Sequence, residues 1–227
     1  MVKRAFEVLF NDEYVLVINK RAKLLVHPSP KREKYTLTSI LESALKETVY
    51  PCHRLDRETT GLIVYAKNKD IQKKIMEQFR KRLVKKEYFA FIKGSLKNKK
   101  GFFDDYILDK EGARFGEKRK RAKAYYELIE SFQEFSLIKL IPLTGRTNQL
   151  RIQLAKRRTP ILGERKYAFR KDFVIKEKKY KGVDFKRLAL HASFLSFIHP
   201  ISRETVEIRI DLPEDMKNFL KLHRMLF

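Results

Sequence analysis

The sequence predicts an α+β fold. Segments rich in β-branched and aromatic residues outnumber segments of helical periodicity, and the two kinds do not alternate as they would around a doubly wound parallel sheet. The turn formers between the β-like segments also sit at hairpin spacing rather than at the spacing of crossover helices.

Taken in order, "FEVLF" and "YVLVINK" read as two strands joined by a turn at Asn11 to Glu13. "TLTSILESALKET" sets Leu37, Ile40, Leu41, Ala44 and Leu45 on one helical face. After Gly61, "LIVYA" reads as a buried strand, and "NKDIQKKIMEQFRKR" as a helix capped by Asn68, with Ile71, Ile75 and Phe79 in register and a basic opposite face. "EYFAFIKG" is strand-like. "AYYELIESFQEFSLIKLIPL" reads as a hairpin turned near Gln133 and Glu134. "TNQLRIQLAKRR" predicts a short helix capped by Thr147 and ended before Pro160. "RLALHASFLSFIHP" and "TVEIRID" follow as strands around a turn at Pro200 to Glu204, and "LPEDMKNFLKL" starts with the Pro and acids of a helix N-terminus. "KNKKG", "DKEGARFGEKRKR" and "RKDFVIKEKKYKG" read as exposed basic loops, candidates for ordering on a phosphate backbone.

At 227 residues the chain suits one sizeable domain, or two lobes sharing a cleft. Lys and Arg number 52 against 28 Asp and Glu, a balance of +24. Such a surface attracts polyanions, and nucleic acid is the leading partner. A membrane surface would also attract positive charge, but no long amphipathic apolar stretch accompanies it. Nothing approaches the roughly 18 consecutive apolar residues of a membrane span. Glu7, Asn11 and Asp12 interrupt any signal-peptide core near the start. Cys52 is the single cysteine, so no intrachain disulfide forms, and a cytoplasmic location is expected.

Several chemistries are excluded by motif. There is no phosphate loop of the GxxxxGK[ST] type, no GxGxxG after a strand, and no Cys/His cluster at zinc spacing. The histidines at 27, 53, 191, 199 and 223 show no HExxH arrangement, and no metal or nucleotide cofactor is expected. "HRLD" is like a kinase catalytic loop only on the surface, because the Asp is one place late and the DFG and Gly-rich loop are missing.

The stretch with most chemistry is "PCHRLDRETTGLIVYAK", where Asp56 stands between Arg54 and Arg57. An Asp before "RETTG" is able simply to close an Asx-turn. Flanking guanidinium groups, however, favour an ionised carboxylate, which serves as a nucleophile or base.

"HRLDRETTGLIVYAK" resembles the catalytic motif of the RluA family of pseudouridine synthases, in which the Asp after His-Arg-Leu is the nucleophile. "LLVHPS" at 24 to 29, "EYFAFIKG" at 87 to 94, "LTGRTNQLRIQLA" at 143 to 155, "PILGERKY" and "LALHASFLSFIHP" resemble further family segments, in family order. The similarity covers most of the chain. It implies a mixed, largely antiparallel pseudouridine synthase sheet flanked by helices and loops, with a central catalytic cleft. Residues 1–227 would be one catalytic domain without the N-terminal S4 domain that many relatives carry.

The activity so implied breaks the bond from N1 to C1′ of a uridine, turns the detached base and rejoins it through C5. The nucleotide must first be extruded from its stack, at a cost of a few kcal/mol that is least in a loop. By resemblance, Asp56 attacks either the sugar C1′ or the base C6, and the sequence leaves both routes open. Tyr88 stacks on the flipped base and is a candidate for removing the C5 proton. Arg151 matches the basic residue that pairs with the nucleophilic carboxylate. Arg54 helps fill the vacated stack, Leu150 fits a pocket wall, and Arg57, Thr60, Arg146 and Asn148 complete the expected RNA contacts. The implied partner is a stem-loop of ribosomal or transfer RNA; no cofactor or membrane is implied, and a monomer is favoured.

Two departures stand out. Asn148 replaces the usual His of "TGRTHQIR", keeping a donor and an acceptor but losing the ability to titrate, with Leu150 in place of Ile. The usual "GD" of a later segment is Gly163 and Glu164. Two other readings share the same residues, an RNA-binding protein without turnover and a base-removing glycosylase.

Overall fold

The computed structural model describes residues 5–28, 33, 35–108, 119–167 and 183–225. Of the expected basic loops, residues 109–118 of the 109–121 stretch and all of 170–182 lie outside the described residues, while Lys120 and Arg121, read as loop, begin a strand. The chain divides into two compact units, one of Met1–Lys86 with His191–Asp211 and one of Glu87–Leu190 with Leu212–Phe227.

In the first unit, strands β1 (Phe6–Asn11), β2 (Val15–Lys20), β4 (Thr60–Ala66) and β9 (Leu190–Ile198) lie in the order β1-β2-β4-β9. The short β3 (Tyr50–Pro51) adds to β4, and β10 (Thr205–Arg209) to β9. Pairing is antiparallel except between β4 and β9, which run parallel with Thr60 opposite His191 and Gly61 opposite Ala192. All seven residues of β4 are buried, so both faces of the strand are covered. Val15, Val17, Leu62, Val64, Leu195 and Phe197 pack with Ile71 and Ile75 of helix α2 (Lys69–Arg80). From the opposite face of β4, the Tyr65 hydroxyl meets that of Thr38 at 3.2 Å in helix α1 (Leu37–Leu45). Both helix starts follow from their caps: Asn68 Oδ1 accepts the Ile71 N–H, and Thr36 and Ser39 form a reciprocal capping box.

In the second unit, β5 (Lys85–Lys93), β8 (Phe135–Pro142), β7 (Lys120–Ser131) and β6 (Lys100–Ile107) form an antiparallel sheet in the order β5-β8-β7-β6. Helix α3 (Gln149–Lys156) lays Ile152 and Ala155 against Ile107 and Ala122 on one face of β6 and β7. Helix α4 (Glu214–Arg224) brings Phe219 onto Phe91 and Phe135, each at a ring separation of 5.1 Å.

Most expected elements are present. Strand β6 is the main addition, since "KNKKG" reads as a loop and yet leads directly into an eight-residue strand. The short β3 is a second addition. The α3 cap moves by one residue: Asn148, not Thr147, holds the N-cap position, with a left-handed φ of 54° and no side-chain capping bond. Asn tolerates that backbone better than most residues, and its amide is used elsewhere.

Candidate active site

In the first unit, Asp56 is half-buried where the chain makes a tight turn ahead of β4. The turn is closed by the backbone, with the Thr59 N–H donating to the Asp56 carbonyl at 3.1 Å. Arg54 and Arg57 are exposed on either side. What fixes the turn in place is Lys20, whose side chain is fully buried at the end of β2. Its ammonium donates to three carbonyls, of Arg21 at 2.8 Å, Leu24 at 2.9 Å and Arg57 at 3.1 Å, and the Leu24 N–H also reaches Arg57 O at 3.2 Å. Three carbonyl dipoles match the three N–H groups of an ammonium. The segments 21–24 and 54–59 are thereby tied together one residue beyond Asp56.

Around this turn lie three histidines. Burial, and secondarily the nearby Arg54 charge, depress the pKa of His27, which places Arg54 beside the "LLVHP" segment. His53 Nε2 accepts the Val64 N–H at 3.1 Å, and the ring packs on Phe79. Thr60 is buried, its hydroxyl 2.9 Å from His191 Nδ1. Gly61 has a φ of +111°, and a Cβ there would overlap the Ala192 carbonyl oxygen. The glycine of the motif thus serves the parallel strand pairing.

In the second unit, Tyr88 is buried on β5, opposite Leu140 of β8. Arg146, Asn148, Leu150 and Arg151 share one loop and the start of α3. Gln149, also buried, organises that loop: its Oε1 accepts the Thr144 hydroxyl at 2.7 Å and the Arg146 N–H at 3.1 Å, and its amide donates to Lys123 O at 3.1 Å. Leu150 is buried. The guanidinium of Arg151 is held by three groups. Its Nε and Nη2 form a fork on Glu164 at 2.6 and 2.9 Å, its Nη1 donates to Asn148 Oδ1 at 2.8 Å, and it lies 5.1 Å from the centre of the Tyr167 ring. Such bidentate, charge-assisted pairs fix the plane of an Arg as well as its position.

The side chain of Glu164 is almost wholly buried, at 1% exposure. Burial alone would raise its carboxyl pKa, but the Arg151 fork and the N–H groups of Lys166 and Tyr167 outweigh it and hold the carboxyl below its usual range. Both departures seen in the sequence, Asn148 and Glu164, thus converge on one guanidinium.

Sequence reasoning missed Lys20, Gln149 and Glu164. A lysine closing the apolar run "VLVIN", in a strand buried along its length, was the available signal for Lys20. The Gly-Glu substitution was the signal for Glu164.

Comparison with known proteins bears on the whole chain. A family model described as RNA pseudouridylate synthase matches residues 14–156. The chain is 32% identical to tRNA pseudouridine synthase C of Haemophilus influenzae, over 94% of this chain and 96% of that protein. It is likewise 32% identical to ribosomal large subunit pseudouridine synthase D of Vibrio cholerae, over 92% of this chain and 68% of that one. Among solved structures, human RNA pseudouridylate synthase domain containing 4 superposes with a TM-score of 0.77 at 28% identity, covering 96% of this chain and 92% of that chain. Over this breadth of match, the chain belongs to the RNA pseudouridylate synthase family, the isomerases that convert uridine in RNA to pseudouridine.

Proposed function

We propose that Asp56 is the nucleophile of this isomerase, that Tyr88 stacks on the everted uracil, and that Arg151 orients the Asp56 carboxylate. Arg54, Arg57, Arg146 and Asn148 hold the nucleotide and its phosphates, with Leu150 as an apolar wall and Thr60 acting through the start of β4. The observation that carries this reading is the pinned turn at 54–59. It combines a half-buried carboxylate, two exposed guanidinium groups at its flanks, and a backbone immobilised by Lys20. A nucleophile held rigidly in a near-attack position gains much of its reactivity from that preorganisation.

In the reaction, the bond from N1 to C1′ breaks, C5 bonds to C1′, the C5 proton leaves and N1 is left to take one up. Asp56 attacks at C1′ or at C6 and is released when the new bond has formed. Atoms and electrons balance within the nucleotide, so no oxidant, reductant or phosphoryl donor is consumed. The substrate is a uridine in a loop of ribosomal or transfer RNA, as the names of the relatives support, and the setting is the cytoplasm. No helix among the described residues is long and apolar enough to cross a membrane. The working species is a monomer.

The test is release of tritium from RNA labelled at C5 of uridine. The parent protein is expected to release it, whereas Asp56→Asn releases none and still binds RNA. An abasic product with loss of base mass would indicate a glycosylase instead, and equal release by the mutant would remove Asp56 from the mechanism.

A further inference from the structure

The sheet of the second unit has one face covered by α3 and one that α3 leaves open. On the covered face, Phe103, Ile107, Ala122, Ala124 and Tyr126 are buried, as alternation requires. On the open face of β6 the same alternation should place polar residues. It places Phe102 and Tyr106 there instead, 59% and 60% exposed, with Asp104 between them. Single exposed aromatics need no explanation, but two on one strand face do. Across the ladder, Tyr125 stands opposite Phe102, Lys123 opposite Asp104 and Arg121 opposite Tyr106.

Cations are fixed among these rings. Lys123 Nζ lies 5.6 Å from the centre of the Phe102 ring. Arg121 forks onto Asp104 at 2.8 and 2.6 Å, which holds its guanidinium on the face beside Tyr106. Arg146 adjoins the patch, with its Nε donating to Arg121 O at 3.3 Å, and the Leu143 N–H donates to Lys123 O at 2.9 Å. The open face therefore adjoins the loop that carries Leu143 and Arg146.

We infer that this open face of β6 and β7 is a second RNA-binding surface, a stacking platform for single-stranded nucleotides flanking the target uridine. Exposed rings supply π-faces for bases of any sequence, and interspersed cations track the phosphates. The chain's balance of +24 makes a polyanion the complementary occupant. Phe102 and Tyr106 are four residues apart on a strand, so about 13 Å separates their positions. That is wider than the rise of about 3.4 Å in a stacked strand, so the platform takes splayed bases, one to a ring, as loops present them. The inference extends the proposed function by adding a site outside the nucleophile's surroundings, and it rests on RNA being the substrate.

The experiment compares the full-length parent with Phe102→Ala, Tyr106→Ala, their double variant and the conservative pair Phe102→Tyr and Tyr106→Phe. Affinity for a fluorescently labelled single-stranded RNA is expected to fall about five-fold or more for each ring removed. The conservative pair should bind as the parent does. Heparin, a polyanion without bases, should bind every variant equally, and melting temperatures should not move, because both side chains are exposed. In the tritium assay the double variant should raise KM and leave kcat unchanged. Parent-like RNA affinity in the double variant would overturn the inference, as would an equal loss of heparin binding. A parent that sediments as a dimer and a double variant that sediments as a monomer would assign the face to self-association instead. Because affinity is read apart from turnover, loss of binding in a protein that releases no tritium would support the platform while refuting Asp56 as nucleophile.

Discussion

Glu164 is one of the residues at which this chain departs from the common family pattern. With Asn148 it surrounds the Arg151 guanidinium, taking three of its N–H donors. Removing the charge from one side of such a buried fork leaves the other uncompensated, at a cost of about 3 to 5 kcal/mol. Glu164→Gln is therefore expected to lower kcat for tritium release at least ten-fold with little change in KM, because Arg151 loses its fixed plane and not its RNA surface. Glu164→Asp, the usual family residue, should retain more activity than Gln. Equal loss in Asp and Gln variants, or an effect confined to KM, would show that Glu164 does not act through Arg151. The candidate site residues were named from the sequence only because the resemblance assigns them by position. Lys20 and Glu164 were not, since a buried Lys and a buried Glu become intelligible only when their partners, carbonyls of residues 21, 24 and 57 and a guanidinium thirteen positions away, are brought together by folding.

Elements with a one-sided or fully buried pattern were read correctly from periodicity: β2, β4, α1, α2 and the β7–β8 hairpin all fall where apolar spacing put them. The differences have separate causes. Strand β6 carries Phe and Tyr on the face where alternation expects polar side chains, so its period is blurred, and its basic lead-in reads as a loop. The α3 cap differs by one residue because Thr147 and Asn148 are both capping types, and the chain starts the helix from the Asn in left-handed conformation with no side-chain capping bond. Strand β4 yields the clearest test at this scale. Gly61→Ala would force a Cβ into the Ala192 carbonyl at a φ of +111°. The expected loss is more than about 3 kcal/mol, read from chemical denaturation, and Ala192→Gly should not rescue it because the collision is with backbone. A parent-like midpoint for Gly61→Ala would show that the β4–β9 pairing tolerates separation.

At the scale of the whole molecule, proton binding couples to folding through His53. Burial, with a smaller contribution from Lys86, pushes its pKa down to about 3 from the usual value near 6.5, and the accepted Val64 N–H leaves Nε2 no room for a proton. The folded state keeps the ring neutral while the unfolded chain protonates it. Stability is therefore full above about pH 6.5 and declines as pH falls toward about 3, at up to about 1.4 kcal/mol per unit. Melting curves across that range should show the decline in the parent, and a visibly shallower one in His53→Gln. Identical slopes would exclude His53 as the linked group.

The parallel pairing of Thr60 with His191 has a consequence for biosynthesis. A ribosome must translate more than a hundred further codons after β4 before the partner of that strand exists. During this interval a strand that is buried along its whole length in the finished fold lacks its β9 partner, which makes the nascent N-terminal segment a client for cellular holdases and its completion a late, long-range step.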